Sequence, residues 1–343
     1  MKNRILVVGF NFSYHDEYSG YGRLMKFVQG CRVFDYTSIF SDGNYSFAGA
    51  VVRRLLIELM TVLKGLRVDV VHYIYPEGTV FISPLVLKHI FGKKVVMTFH
   101  LSPKWYSTYP ARESLLKKCA RRFFQGLAYR CVKTCDHAIS LTTDAAAVYA
   151  KAYGLRGVSV VPHGIVVGPQ PPPKLVVDKQ VCIVGRNYRD IDFINAVLGN
   201  ERAHGYTFHL VGVDFDRIYA PAGVAVHVHR ERLSHAQYAE VLDRCLVMLL
   251  PLTFATANNA ILEAYLHKVF VLTTRAGMNE DYLSDTLYEV QDPQAFFDRA
   301  DKLFAGAAGV EIQEALMQAR KSATDRFGWP GVVRQLYVIY DRL

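Results

Sequence analysis

The chain has 343 residues, 51% of them apolar and 21% charged, which excludes a disordered polypeptide and allows two domains of ordinary size. Its formal charge of +9 is unevenly placed: residues 1–170 carry 22 Lys and Arg against 10 Asp and Glu, a net of +12, whereas residues 171–343 carry 18 against 21, a net of −3. No run of 18 apolar residues is present, so no transmembrane helix is expected, and the basic half points to an anionic partner: a phosphate-bearing substrate, an anionic membrane surface or nucleic acid.

The apolar stretch after Lys2 is too short for a signal peptide, because Gly9 and Asn11 follow at once. Residues 5–8 instead predict a parallel strand buried on both faces. The loop that follows contains Ser19-Gly20-Tyr21-Gly22-Arg23. Gly20 and Gly22 would let backbone amides approach a phosphate, although the spacing is neither a Walker motif nor GxGxxG and a plain glycine-containing loop explains it as well. Residues 70–74, 95–99, 138–141 and 158–161 predict further strands, the last stopped by Pro162. Helical stretches lie between them, notably residues 50–66 and 113–132.

Residues 168–174 read GPQPPPK, a stiff extended segment that predicts an interdomain linker. The pattern then restarts. Residues 181–184 end at Gly185 as the first strand ends at Gly9, and residues 208–211, 224–228, 247–250 and 269–273 continue it. Helices fit at residues 192–198, 235–244, 260–267 and 293–304, and a last helix runs over 329–343. Strands alternating with helices imply right-handed βαβ units, hence an α/β chain of two Rossmann-like domains. The expected boundaries are 1–167 and 175–328, with the 329–343 helix placed to pack back on the first domain. Two such domains facing one another leave a central cleft at the strand C-terminal ends, where α/β sheets bind ligands.

Arg186 and Arg189 directly follow a strand end. Guanidinium groups suit diphosphate oxygens because they stay charged and offer planar paired donors; the alternative is a surface loop paired with Asp190 and Asp192. Thr256 or Asn258 can cap a helix starting near Asn259, whose amides suit a phosphate or a sugar hydroxyl. Glu263, about one turn in, can accept from the paired hydroxyls of a ribose, or can simply favour a helix N-terminus. His100 ends a strand, as a functional or a satisfied structural histidine. Cys131 and Cys135 fall at i,i+4 near His137, but the spacing recurs nowhere, so they read as buried reduced thiols and no metal site is expected. Lys117, Lys118, Arg121, Arg122, Arg130 and Lys133 interleave with Phe123, Phe124, Leu127 and Tyr129. That pattern is a solvated helix face or an amphipathic basic helix on anionic lipid, and Lys88, Lys93 and Lys94 form a similar cluster. No nucleic-acid-binding motif is present.

Taken in order, Asp69-Val70-Val71-His72, residues 95–100, residues 136–142, Val160-Val161-Pro162-His163-Gly164-Ile165, Gly185-Arg186, Leu262-Glu263-Ala264, residues 269–274, Gly277 and Trp329 resemble the family 4 retaining glycosyltransferases. The resemblance spans nearly the whole chain and rests on the order of the motifs. It implies the GT-B architecture and a hexosyltransferase-type enzyme that moves a sugar from a nucleotide-sugar donor to a glycan or lipid-linked acceptor. Cell-surface polysaccharide or glycoconjugate synthesis would be its setting, in the cytoplasm or on the inner face of the cytoplasmic membrane, with no metal or cofactor. By the resemblance, Glu263 binds the donor ribose and Arg186 the diphosphate, Arg189 stands where the family has a lysine, and His100 lies near the transferred sugar. Asn258 and Asn259 line the sugar and phosphate loop, and His229 and Leu233 border the nucleobase. The family's paired glutamates are eight positions apart, and Ala255 occupies the earlier position, which bears on the donor sugar and the stereochemistry; Glu280 or Asp281 are the substitutes on offer. A retaining enzyme of this kind needs no dedicated base. An inverting one would, and His15, Asp16 and Glu17 are then the candidates. A nucleotide-sugar epimerase shares the architecture, and Ala255 keeps open a non-catalytic sugar-nucleotide-binding subunit.

Overall fold

The structure, a computed structural model, describes residues 4–11, 20–37, 39, 47–79, 82–104, 115–171, 178–254, 257–274, 280–282 and 284–343. The chain divides into two compact units: residues 1–164 together with 329–343, and residues 165–328.

Unit 1 holds a parallel sheet of β1 (Ile5–Gly9), β2 (Arg32–Asp35), β3 (Val70–Tyr73), β4 (Lys94–Phe99), β5 (His137–Ser140) and β6 (Val158–Val160) in the order β2-β1-β3-β4-β5-β6. Continuous apolar runs supply strands buried on both faces, so β1 and β3 are buried throughout. β2 and β3 flank β1, so the winding direction reverses there. Right-handed crossovers then place the helices Phe47–Gly65, Ser83–His89 and Leu115–Lys133 on one face, where they pack in succession. On the other face the C-terminal helix Trp329–Asp341 packs against Leu24–Phe27.

That last helix is anchored by Trp329, which is fully buried, with ring centroids 5.5 Å from Tyr21, 6.0 Å from Phe27 and 5.7 Å from His163. Only glycine fits beneath the indole: a Cβ at Gly164 would lie 2.2 Å from its ring atoms. Tyr340 at the far end meets His72 Nδ1 at 2.5 Å, and His72 Nε2 meets Thr98 Oγ1 at 2.7 Å. Burial, with the charge of His137, pushes His72 down to about 3, so the imidazole is neutral.

Unit 2 holds β7 (Gln180–Val184), β8 (Thr207–Val211), β9 (Ala225–His229), β10 (Val247–Leu250), β11 (Phe270–Thr273) and β12 (Leu287–Glu289), all parallel, in the order β12-β11-β10-β7-β8-β9. Successive side chains of β7 feed two cores. Val181 and Ile183 join the helices Ile191–Leu198 and Pro293–Ala305, while Cys182 and Val184 join the helix Asn259–Leu266. β8 and β10 flank β7, so the winding reverses between β7 and β10. The ends of the unit are tied where Ile165 N–H donates to Phe327 O at 2.8 Å. Arg320 Nη2 donates to the carbonyls of Gly168 (3.0 Å) and Pro169 (3.1 Å), so the start of the GPQPPPK segment is bound within unit 2 and the division of the chain falls earlier, after Gly164.

Among the elements not expected from the sequence, three bear on the sheets and the core. β2 is a short edge strand with three of its four residues exposed, and β12 is an edge strand of three residues, so neither carries an apolar run. The helix Val310–Phe327 buries Leu316, Ala319, Ala323 and Phe327. Two of its four core residues are alanines, which blunts the apolar periodicity. Among the described residues no helix is long and apolar enough to cross a membrane.

Candidate active site

In a parallel sheet the loops that leave on either side of a winding reversal splay apart and open a crevice at the strand C-terminal ends. In unit 2 those loops follow β7 and β10. Gly185 ends β7 with φ +81°, and a Cβ there would fall 2.4 Å from Arg189 Nη2, so both the backbone conformation and the side-chain approach require glycine. Arg189 folds back over it, donating from Nε to Val184 O (2.7 Å) and from Nη1 to Asn187 O (2.8 Å). The two loops pair: Asp190 N–H donates to Pro251 O at 3.0 Å, and Thr253 N–H donates to Tyr188 O at 2.9 Å. Tyr188 sits at φ 57°, a strained conformation for a tyrosine, with its ring 5.0 Å from Phe254.

Behind this pair stand two capped helices. Asn258 caps Asn259–Leu266, its side chain accepting from Ala260 N–H at 3.1 Å, and Glu263 projects from the helix at the next turn. Ser234 and Gln237 form a capping box that starts His235–Arg244 and sets Tyr238, whose hydroxyl donates to Glu263 Oε2 at 2.8 Å. Burial pushes the Arg189 guanidinium down to about 10, opposed by the negative charge of the Glu263 carboxylate. Burial, and then the Glu263 carboxylate, hold the Tyr238 phenol well above its ordinary range. Arg189, Tyr238 and Glu263 therefore form one electrostatic group, with Tyr238 protonated at any pH of interest. Arg186 differs: its side chain is 71% exposed and lies 3.7 Å from Asp214, which follows β8.

His229 lies on edge strand β9, in a chain of rings. Its Nε2 is 3.5 Å from His209 Nδ1, and His209 Nε2 meets Gln180 Oε1 at 3.1 Å. Burial, with the charges of His227, His229 and Arg244, pushes His209 down to about 4. Leu233 is partly buried against the core that holds Val184 and Leu262. Ala255, Thr256 and Gly277 lie outside the described residues, as do His15, Asp16 and Glu17 of unit 1. Glu280 and Asp281 form a short turn before Tyr282.

Unit 1 has its own reversal, beside β1. Gly22 N–H donates to the Tyr75 hydroxyl at 3.0 Å, and a Cβ at Gly22 would lie 2.3 Å from Asn11 Oδ1 and 2.5 Å from Phe10 O. Close packing accounts for this glycine, and its amide is engaged by the protein. Gly20, at φ 87°, precedes the buried turn Tyr21–Arg23. His100 follows β4, with its ring 4.7 Å from Tyr21 and 4.6 Å from Tyr75. Its Nε2 lies 2.8 Å from Ile74 O, and a carbonyl only accepts, so Nε2 carries the hydrogen. The buried Glu77 carboxylate accepts from the amides of His100 and, at 2.8 Å, Leu101.

Burial raises Glu77 from 4.5 to about 7 despite those amide bonds. The folded state thus holds a proton that the unfolded state has released between pH 4.5 and 7, and stability from this group falls as pH rises through that window. Glu77→Gln removes the titration and keeps an accepting oxygen. We expect the variant to gain up to about 3 kcal/mol on wild type between pH 5 and 8. Urea unfolding read by tryptophan fluorescence checks this, since both tryptophans, Trp105 and Trp329, fall in unit 1. A difference that does not change with pH refutes it.

Cys131 and Cys135 are buried and their thiols are pushed up to about 12 by burial. Among the described residues no three His, Cys, Asp or Glu side chains gather as metal ligands would.

Two family models match the sequence in succession: Glycosyltransferase Family 4 over residues 14–167 and Glycosyl transferases group 1 over residues 178–305. The chain belongs to the family 4, group 1 glycosyltransferases. Among solved structures, the glycosyltransferase is similar to Anabaena HepE in complex with UDP-glucose, at TM-score 0.63 and 13% identity over 99% of this chain and 100% of that one. A glycosyltransferase from Rickettsia africae matches at TM-score 0.67 and 12% identity, over 98% and 97%. Sucrose-phosphate synthase from Thermosynechococcus elongatus matches at 0.62 and 14%, over 98% and 88%. No curated protein sequence matches. The fold of this glycosyltransferase is that of the GT-B enzymes.

Two residues of this glycosyltransferase's candidate sites escaped the sequence. Tyr238 lies 25 residues before Glu263 and reads as an ordinary aromatic of an amphipathic helix. Glu77 reads as an acid in the first turn of a four-residue helix. Pro76-Glu77 immediately after the strand run was the only available signal for the latter.

Proposed function

We propose that this glycosyltransferase binds its nucleotide-sugar donor in unit 2 and transfers the sugar, with retention and without a metal ion, to a glycan or lipid-linked acceptor. Cell-surface polysaccharide or glycoconjugate synthesis is the proposed setting, with the basic unit 1 in contact with an anionic membrane. The observation that carries the donor reading is the Glu263 carboxylate, held by Tyr238 in the field of the half-buried Arg189 at the β7/β10 reversal. A carboxylate so fixed is suited to the paired hydroxyls of a ribose. Arg186, with Asn258, Asn259 and the amides that open their helix, is suited to the diphosphate. These groups can stabilise the leaving nucleoside diphosphate as preorganised positive charge and dipoles, which is the work a metal would otherwise do. In unit 1, His100 is assigned to sugar contact. Retention rests on the family, whose retaining transfer needs no dedicated base.

HepE was crystallised with UDP-glucose, so uridine diphosphate sugars head the panel of donors to screen by thermal shift. Turnover of the stabilising donor is then followed with and without acceptor. Isomerisation of the donor with no acceptor present would replace transfer by epimerisation. We expect turnover to survive exhaustive chelation with EDTA; loss of activity restored by a divalent cation rules out the metal-free mechanism.

A further inference from the structure

The helix Phe47–Gly65 is built inside out. Its inward side carries polar groups: Glu58, 3% exposed, accepts from the amides of Ile82 (3.0 Å) and Ser83, and buried Thr61 bonds Ile57 O at 2.7 Å. Its outward side carries Val52, Leu55, Leu56, Leu59 and Leu63, continued by Leu66 just past the end. At 100° per residue these six fall within a stripe about 100° wide, the width by which a helix ordinarily faces a core. Here it faces outward, with Leu55, Leu59 and Leu63 54–55% exposed. The neighbouring helix, whose Leu87 packs on Gly65, ends in exposed Ile90 and Phe91, and Lys93 and Lys94 follow. Phe123, 66% exposed, rises from the third helix of the same layer between Arg121, Arg122 and Arg130.

Charge decides what covers this surface. Residues 47–153, which span the layer, carry 16 Lys and Arg against 6 Asp and Glu. Two of those acids, Glu58 and Glu77, are buried against backbone amides. Arg53 and Lys64 lie along one flank of the stripe and Arg67 follows it. A second copy of the chain would set this basic face against itself, because a two-fold interface pairs a patch with its own image. An anionic bilayer supplies both apolar depth for the leucines and opposite charge for the rim. We infer that the outer face of the helix Phe47–Gly65, centred on Leu55, Leu59 and Leu63, docks this glycosyltransferase on anionic lipid. This rests on the membrane contact proposed above and assigns it to a helix other than the basic one at Leu115–Lys133, which supplies part of the charged rim.

Vesicle flotation tests it, with the full chain and neither donor nor acceptor, so that the result is independent of the transfer reaction. We expect the protein to float with vesicles of phosphatidylglycerol and phosphatidylcholine, to stay behind with phosphatidylcholine alone, and to be released as salt screens the rim. The neutral variant Leu55→Gln/Leu59→Gln/Leu63→Gln should lower partitioning at least about tenfold without adding repulsive charge. Its far-UV circular dichroism should match wild type, since the altered side chains are exposed. Should all three leucines prove needed for folding, Leu59→Gln and Leu63→Gln are floated singly, and each should weaken binding. Wild type that ignores anionic vesicles, or variants that float like wild type, overturn the inference. So does a concentration-dependent dimer in sedimentation velocity that the triple variant abolishes. Turnover of the triple variant on a soluble acceptor is measured separately, and its loss would count against the transfer reading rather than the membrane face.

Discussion

Glu263→Ala is expected to lower kcat/KM for the donor by roughly a hundredfold, through KM rather than kcat. A hydrogen bond to a charged group contributes about 1.5–3 kcal/mol, and loss of a carboxylate that accepts from a ribose removes that much, or ten- to a hundredfold. The upper end is favoured because the truncation also strips Arg189 of a nearby negative charge and leaves the Tyr238 hydroxyl without its 2.8 Å acceptor. A ribose contact is remote from the bond that breaks and is equally present in ground and transition states, so the loss belongs in binding. Glu263→Gln keeps an accepting oxygen and should cost about tenfold. Tyr238→Phe leaves the carboxylate but releases its orientation, and should raise KM a few-fold with kcat intact. Steady-state kinetics and calorimetric donor binding read all three. An unchanged KM in Glu263→Ala removes the residue from the donor site.

The fold was legible where burial is symmetrical. Strands such as β1 and β10, covered on both faces, need an unbroken apolar run, and such a run is visible without any partner. Edge strands β2 and β12 need only one good face, and the helix Val310–Phe327 meets the core through Ala319 and Ala323, which leave no periodic trace. The candidate site divides the same way. Arg189 stood out because it directly follows a strand end, and Glu263 because it lies about one turn into a capped helix within a motif that resembles the family. Their grouping depends on Tyr238, brought in by a separate helix, and on the winding reversal between β7 and β10, which is a property of strand order. Gly22 shows the converse. Its loop suggested a phosphate cradle, yet the space a Cβ would occupy is taken by Asn11 and Phe10. Gly185 is a glycine for a similar reason, but there the occupant is the guanidinium of Arg189 itself.

Trp329→Ala should destabilise unit 1 by about 3–5 kcal/mol, the usual cost of truncating a fully buried large aromatic. The indole is 1% exposed and touches the Tyr21, Phe27 and His163 rings, so little can collapse into the space it leaves. The effect should concentrate on the C-terminal helix, which that ring and the His72–Tyr340 contact secure at its two ends. Trypsin should therefore cut at the exposed Arg334 much faster than in wild type, because cleavage tracks the opened population. The melting temperature of the unit should drop by on the order of 10 °C. Proteolysis and melting that match wild type would show that the helix is held by other contacts. Gly164 offers an independent check on the same ring. Gly164→Ala puts a methyl group 2.2 Å from indole atoms and should cost about 1–3 kcal/mol by overpacking. In the Trp329→Ala background that methyl group meets a cavity and should cost little. The double-mutant coupling should thus be large and opposite in sign to simple addition, as expected only when the two residues meet directly at the places where the chain leaves and re-enters unit 1.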